Sequence, residues 1–451
     1  MTFNLLSPLD GRYSEAAAPL RDYFSEFAFL RDRVRVELDF LLALSKTDLV
    51  RPLSDSESAQ IESILSNFSN ADAELILEHE RKTRHDVKAI EYFIRGKLQD
   101  TSLKDVIPWI HFGLTSEDTN SIGQAISLNE SRDKVILPAL NSLISNLSNF
   151  ATRYKAVPMP ARTHGQFAVP TTLGKEFAVY IARLKKTRND IASHRFEAKV
   201  TGAVGNFNAL QAAAPQEDWI SFSQNFVSSF GLEPNLLTTQ ILPYDNWVHY
   251  FDLIRLTNSI LIDFAQDIWR YISDGWLKQA IVAEEVGSST MPQKVNPIDF
   301  ENAEGNLGVA NSLFMHYAQK LMVSRLQRDL SDSTVRRTFG TALGHSLIAW
   351  TSLKRGMKRI APDEEKLKAE LNAHWEVVSE GAQTILRAAG KSDAYESLKE
   401  QTRGRALTES DYKAWCDTVD VDDATREKLK TLTPETYIGL AVELTDRVVK
   451  E

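Results

Sequence analysis

The 451 residues exceed what a single hydrophobic core usually serves, so two or three domains are expected. The chain is 43% apolar and 25% charged, as in an ordinary globular protein, and a net charge of −9 without a dense run of Lys and Arg argues against a nucleic-acid partner. One cysteine, Cys416, excludes an internal disulfide and a cysteine-based zinc cluster, and no apolar run reaches the roughly 18 residues of a membrane span.

The first residues, MTFNLLSPLDGRY, lack a basic stretch followed by an apolar one. No signal peptide is expected, and a cytoplasmic protein is. After the turn-rich segment Ser7–Tyr13, 3.6-residue periodicity predicts amphipathic helices over 19–46 and 54–68. The segment Thr83-Arg84-His85-Asp86-Val87-Lys88 then opens a helix carrying Ile90, Tyr92 and Phe93. By itself His85 reads as a surface histidine; its setting among cations and an Asp would suit an anion.

Thr115-Ser116-Glu117-Asp118 matches a capping box, with Thr115 as N-cap and Asp118 three residues on. A long helix is expected from there to about Tyr154, kinked at Pro138. Arg162-Thr163-His164-Gly165-Gln166 breaks helicity, and Pro170 is placed at the first position of a helix to about Ala198. Thr201–Asn206 is a turn. From Trp247 to Ile272 apolar residues cover more than one face, as in a helix on the order of 40 Å long buried among several neighbours. Asn296-Pro297 restarts a helix to about Met322, and Ser331–Arg337 caps the next. Beyond Asp363 charge density rises, and short helices are predicted at 364–388, 392–402, 408–417, 423–430 and 434–449. No convincing strand alternation appears. The reading is an all-α chain with three helical domains, 1–111, 112–362 and 363–451, the central one a long-helix bundle.

Four polar breaks, 83–88, 113–120, 162–166 and 284–297, each place hydroxyls, amides, a His or a cation beside a predicted helix N-terminus. Such ends attract anions through unpaired N–H groups and the helix dipole. Each alone is equally well a capped helix start. The longest, EEVGSSTMPQKVNP at 284–297, can take a proton and hold an anion, though by composition it is also an ordinary solvated loop. The histidines at 79, 111, 194, 249, 316, 345 and 374 have no metal-ligand spacing and are read as structural.

GSSTMPQKVNP at 287–297 resembles the signature loop of the fumarase/aspartase superfamily. SPLDGRY at 7–13, HDVKAIEYF at 85–93, TSED at 115–118, RTHGQ at 162–166, SDSTVRR at 331–337 and TPETYIG at 433–439 are similar to the adenylosuccinate lyase family, in its bacterial branch. The resemblance covers nearly the whole chain. It implies three helical domains in a homotetramer with a twenty-helix core, each active site shared by three subunits. The implied reaction is β-elimination of fumarate from adenylosuccinate, leaving AMP, and from SAICAR, leaving AICAR, with no metal or cofactor.

Motif position makes Ser288 the general base and His164 the general acid. Lys294 and Asn296 would hold the carboxylate where charge develops, with Lys294 also stabilising the serine alkoxide. Arg12, Tyr13, Ser333 and Arg337 would contact the nucleotide phosphate, Arg through its bidentate fork. Arg84, His85 and Asp86 would line the nucleotide and acid side, His85 bonding substrate or supporting His164. Thr115, Ser116, Gln240 and Ser289 would hold the succinyl group. Asn302 and Arg328, with the flanking Val295, Thr334, Val335 and Arg336, would complete the pocket. Two positions depart from the pattern: Gln293 stands where a His is usual, as in argininosuccinate lyase, and Arg84 where Asn is common. A sister lyase or a catalytically silent homologue are the alternatives.

Overall fold

The computed structural model describes residues 4–280, 291, 293–391, 396 and 407–450, and its residues gather into two compact units. The first comprises 1–140, 187–259 and 306–349, the second 141–186, 260–305 and 350–451. Every boundary falls inside a helix: Leu137–Arg153, Leu173–Ser193, Asp245–Ser273, Ile298–Lys320 and Phe339–Met357. Asp245–Ser273 is the long helix that the apolar patterning of 247–272 anticipated, and the fold is predominantly helical.

In the first unit, Ser25 caps the helix Glu26–Leu44 by accepting from the Ala28 N–H, which breaks the predicted 19–46 helix into short turns before Ser25 and one helix after it. Ser54 and Glu57 form a capping box for Asp55–Ser66. The helix Asn70–Thr83 ends on Arg84, whose φ of 54° is left-handed, and His85 at once caps Asp86–Leu98 by accepting the Lys88 N–H on Nδ1 at 3.1 Å. Ser116–Ser131 passes through a π-helical turn, Arg132–Ile136, into the Leu137 helix; Pro138 has no N–H to offer the Lys134 carbonyl four residues earlier, and the turn stands where the regular ladder is interrupted. Tyr244, Trp247, Tyr250, Phe251, Tyr317 and Phe339 are buried at the centre of this unit, with Phe251 and Phe339 ring centroids 4.6 Å apart.

In the second unit Phe150, Phe177 and Phe264 form the aromatic spine, Phe150 and Phe177 stacked at 4.4 Å. A separate cluster of Trp375, Val378, Leu386, Tyr412, Trp415, Cys416 and Leu429 packs the C-terminal helices, so Cys416 is a buried core thiol.

Among the described residues, three small β pairings modify the all-helical expectation. Pro158–Thr163 and Gln166–Thr172 form an antiparallel hairpin, so Pro170 sits in a strand and the following helix starts at Leu173. That helix ends at Ser193, because Glu197–Ala198 pairs with Glu233–Pro234. Leu277–Gln279 pairs with Ile360–Pro362. The last helix begins at Ala441 instead of Pro434, and the predicted 364–388 helix is two, Glu364–Asn372 and Ser379–Ala388. Nearly all of the predicted 392–402 helix lies outside the described residues.

Candidate active site

The site residues divide between the two units. Arg12, Tyr13, Arg84, His85, Asp86, Thr115, Ser116, Gln240, Arg328 and Ser333–Arg337 belong to the first; His164, Lys294, Val295, Asn296 and Asn302 belong to the second. Ser288 and Ser289 lie outside the described residues.

In the first unit, the polar residues are tied together from beneath by buried charges. Asp86 receives Arg33 at 2.5 Å, and Arg33, fully buried against the Phe29 ring, also donates to Asn120 at 2.8 Å. Burial works to raise the Asp86 pKa, but Arg33 and the Val87 N–H outweigh it and hold the carboxyl below its usual value. Arg337 is exposed, 3.4 Å from Glu26 and 4.0 Å from Asp86, and a cavity of about 360 Å³ beside it is lined by Ser7, Asp10, Arg21 and Glu26. Arg12 is exposed and Tyr13 half-buried, both just before the helical turn Ser14–Ala17. A larger opening of about 520 Å³, among Arg35, Asp39, Lys46, Phe222, Phe226 and Phe230, contains none of the family-matched residues.

The TSED turn does more than cap a helix. Asp118 accepts the Thr115 N–H at 2.8 Å, fixing the turn. It also accepts the Thr201 N–H at 3.0 Å and pairs with Lys199 at 2.8 Å, both side chains fully buried. Glu117 receives Arg336 and Arg328, each at 2.9 Å, and Asn120 at 2.7 Å. Gln240 reaches Thr115 at 3.3 Å from a loop whose Thr238 carbonyl packs against Gly205 in the Gly202–Gly205 turn. A Cβ at Gly205, where φ is 86°, would stand 2.0 Å from the Thr238 carbonyl oxygen, so only glycine admits this approach.

Arg336 is buried against Glu117, Asp332 and Gln124, so its guanidinium belongs to the internal lattice. Val335 is likewise buried, whereas Ser333 is half-buried and Thr334 exposed on the same short helix, Ser331–Arg336.

In the second unit His164 sits at the tip of the 158–172 hairpin, not beside a helix N-terminus as expected. Thr163 pairs with Gln166, leaving a two-residue turn in which His164 has φ 53° and Gly165 φ 76°, the backbone of a type I′ turn. The imidazole is exposed. Behind it Phe167 stacks on His374 at 3.8 Å, and the Arg162 guanidinium lies 4.8 Å from the Phe167 ring. These contacts stiffen the hairpin below its tip.

Lys294 and Val295 are exposed at the end of the 284–297 segment, with the Lys294 N–H bonded to the Met291 carbonyl at 3.1 Å and the Val295 carbonyl accepting Gln279 at 3.1 Å. Asn296 is half-buried, and Asn302, on the first turns of Ile298–Lys320, accepts the Ser352 hydroxyl at 2.8 Å. His111, read as structural, bonds Glu37 at 2.7 Å; burial lowers its pKa but Glu37 outweighs that and raises it. Among the described residues, no group of acidic, His or Cys side chains is arranged to hold a metal ion.

A family model described as Lyase matches residues 11–311, and one described as Adenylosuccinate lyase C-terminal matches 324–438. The chain is 46% identical to the adenylosuccinate lyase of Haemophilus influenzae over 99% of both chains. It is 42% identical to that of Escherichia coli K12 over 98% of both, and 44% identical to that of Dictyostelium discoideum over 96% of both. The chain belongs to the adenylosuccinate lyase family. The fold of this family member also resembles a Pseudomonas putida 3-carboxy-cis,cis-muconate lactonizing enzyme (TM-score 0.73, 19% identity, 96% of both chains) and a Mesorhizobium fumarate lyase (TM-score 0.76, 14% identity, 96% and 97%).

Sequence reasoning missed the residues that hold this family site in place: Arg33, Asn120, Glu117 and Lys199. Three of them lay within or beside segments already singled out, Glu117 in TSED, Asn120 in the 113–120 break and Lys199 just before the Thr201–Asn206 turn. Their burial has no signature in spacing alone.

Proposed function

We infer that this lyase releases fumarate from adenylosuccinate, leaving AMP, in purine biosynthesis. The observation that carries the inference is identity of 40–46% to adenylosuccinate lyases across nearly the whole chain. We extend the reading to SAICAR, with AICAR as the second product, because the bond broken is again one between a nitrogen and the succinyl carbon, here a carboxamide nitrogen.

The residue roles belong to the same proposal. Ser288 removes the proton next to a succinyl carboxylate, and the dianion that develops is met by Lys294 and Asn296. His164 delivers a proton to the departing nitrogen; its exposed place on a rigid two-residue tip suits a group that must reach a substrate atom. Arg12, Tyr13, Ser333 and Arg337 take the phosphate, supported by the exposure of both arginines and by the place of Arg337 in the lining of the described cavity. Arg84, His85 and Asp86 flank the nucleotide; His85 uses Nδ1 as a helix cap, which leaves Nε2 for a ligand. Thr115, Ser116, Gln240 and Ser289 hold the succinyl group.

We also place the chain in a homotetramer of three-domain subunits, with sites shared between copies. Leu256, Trp269, Val309 and Met315 stand between 42% and 52% exposed along the long helices, apolar surface that further copies would cover. A cytoplasmic location follows the lone, buried and unpaired Cys416. Ser288→Ala and His164→Ala should each abolish turnover while the protein stays folded; normal activity in both would overturn the mechanism. Arg12→Ala should raise KM steeply, and an unchanged KM would favour a substrate without a phosphate, such as argininosuccinate.

A further inference from the structure

Glu117 has no role in the reaction as set out above, yet its carboxylate is 1% exposed and organises the first-unit side chains. It receives Arg336 at 2.9 and 3.1 Å, Arg328 at 2.9 Å and Asn120 at 2.7 Å. Burial works to raise its pKa, but the two guanidiniums outweigh that and keep it ionised.

The direction of every bond leading away from it is determined. Arg328 uses its other terminal nitrogen to donate to Gln240 Oε1 at 3.4 Å. A guanidinium has only donors, so the Gln240 oxygen must face it and the amide nitrogen must face away. That nitrogen donates to Thr115 Oγ1 at 3.3 Å. A hydroxyl that accepts on its oxygen here has its hydrogen to give elsewhere. Asn120 is set by the same logic from the other side: its oxygen accepts Arg33 at 2.8 Å, so its nitrogen faces Glu117.

We propose that Glu117 is a positioning residue which, through Arg328 and Gln240, orients the Thr115 hydroxyl as a donor toward a ligand carboxylate. This rests on the reading of Thr115 as a contact to the succinyl group. With a neutral amide at 117, Arg328 loses its anchor and Gln240 is free to turn. Its carbonyl then faces Thr115, the hydroxyl hydrogen is drawn inward, and a lone pair is presented to the carboxylate.

The test is a double-mutant cycle on the full-length enzyme, reading KM and kcat for adenylosuccinate. Thr115→Val and Glu117→Gln should each raise KM about tenfold, the worth of one hydrogen bond, with kcat changed by less than about threefold. The double variant should show no larger KM than the worse single, because both changes disable the same hydroxyl. Multiplying single effects, toward about a hundredfold, would overturn the relay. So would an unchanged KM in Glu117→Gln while Thr115→Val retains its effect, a result that leaves the succinyl reading standing. No effect of Thr115→Val would remove that reading itself, and the relay with it. If Glu117→Gln does not fold, Glu117→Asp, which keeps the charge but withdraws it by one methylene, enters the same cycle with the same outcomes.

Discussion

Lys199 Nζ lies 2.8 Å from the Asp118 carboxylate, and neither side chain exposes any surface. The ammonium also donates to the Gly202 carbonyl at 3.1 Å, and Asp118 accepts the Thr201 and Thr115 N–H groups, so one ion pair joins the TSED turn to the glycine turn under Gln240. Removing one partner strands the other charge in a dry site. Lys199→Met should therefore cost about 3–5 kcal/mol in urea unfolding, and a loss below about 1 kcal/mol would mean the pair is not holding the turns.

Gly205→Ala should act on the same junction by sterics. The added Cβ meets the Thr238 carbonyl at 2.0 Å in a left-handed backbone, so the 238–240 loop must move. Destabilisation of more than about 1 kcal/mol is expected, together with a raised KM, since Gln240 is displaced from Thr115. Unaltered stability and KM would contradict the close approach.

Glu117 also sets an acid limit. Its carboxyl titrates below the ordinary glutamate value in the folded state because Arg336 and Arg328 outweigh burial. A depressed folded pKa adds stability that is present above the unfolded pKa, about 4.3, and disappears as pH falls through the folded one. The stability difference between wild type and Glu117→Gln should thus be largest near neutrality and narrow on acidification below about pH 4. A difference independent of pH would refute the ion-pair origin.

Arg84 occupies a left-handed helix end with φ 54°, a conformation in which Asn and Gly are favoured over Arg. The departure from the family's Asn at this position therefore carries a backbone cost. Arg84→Gly should raise thermal stability by about 1 kcal/mol; a decrease would show that the arginine side chain makes a compensating contact.

The long helices were legible because apolar residues on more than one face, as in Trp247–Ile272, have no other stable reading. Breaks at 113–120 and 296–298 were legible through their cap residues, whereas His85, which caps the helix after 83–88, read as a surface histidine. The hairpin around His164 was not: Pro158, Pro160 and Pro170 argue against strands, and the strands survive because they form an isolated two-stranded pair in which a missing N–H costs little. The buried lattice was equally hidden. Asp32, Arg33 and Glu37 punctuate an amphipathic helix as solvent-facing charges would, yet all three are buried. Their partners dozens of residues away, Ser127 for Asp32, Asp86 and Asn120 for Arg33, and His111 and Thr119 for Glu37, reveal it.

His164 offers a clean separation of chemistry from folding. Asn is favoured at the first position of a type I′ turn, so His164→Asn should fold as well as the wild type while losing the proton donor. A fall in kcat of about 10²–10⁴-fold with an unchanged melting temperature is expected. Loss of the fold instead would assign His164 to the turn alone.

Purified protein incubated with adenylosuccinate should lose the succinyl-adenine ultraviolet absorbance while AMP and fumarate appear in equal amounts, one of each per substrate consumed. Folded protein that leaves adenylosuccinate intact would contradict the account.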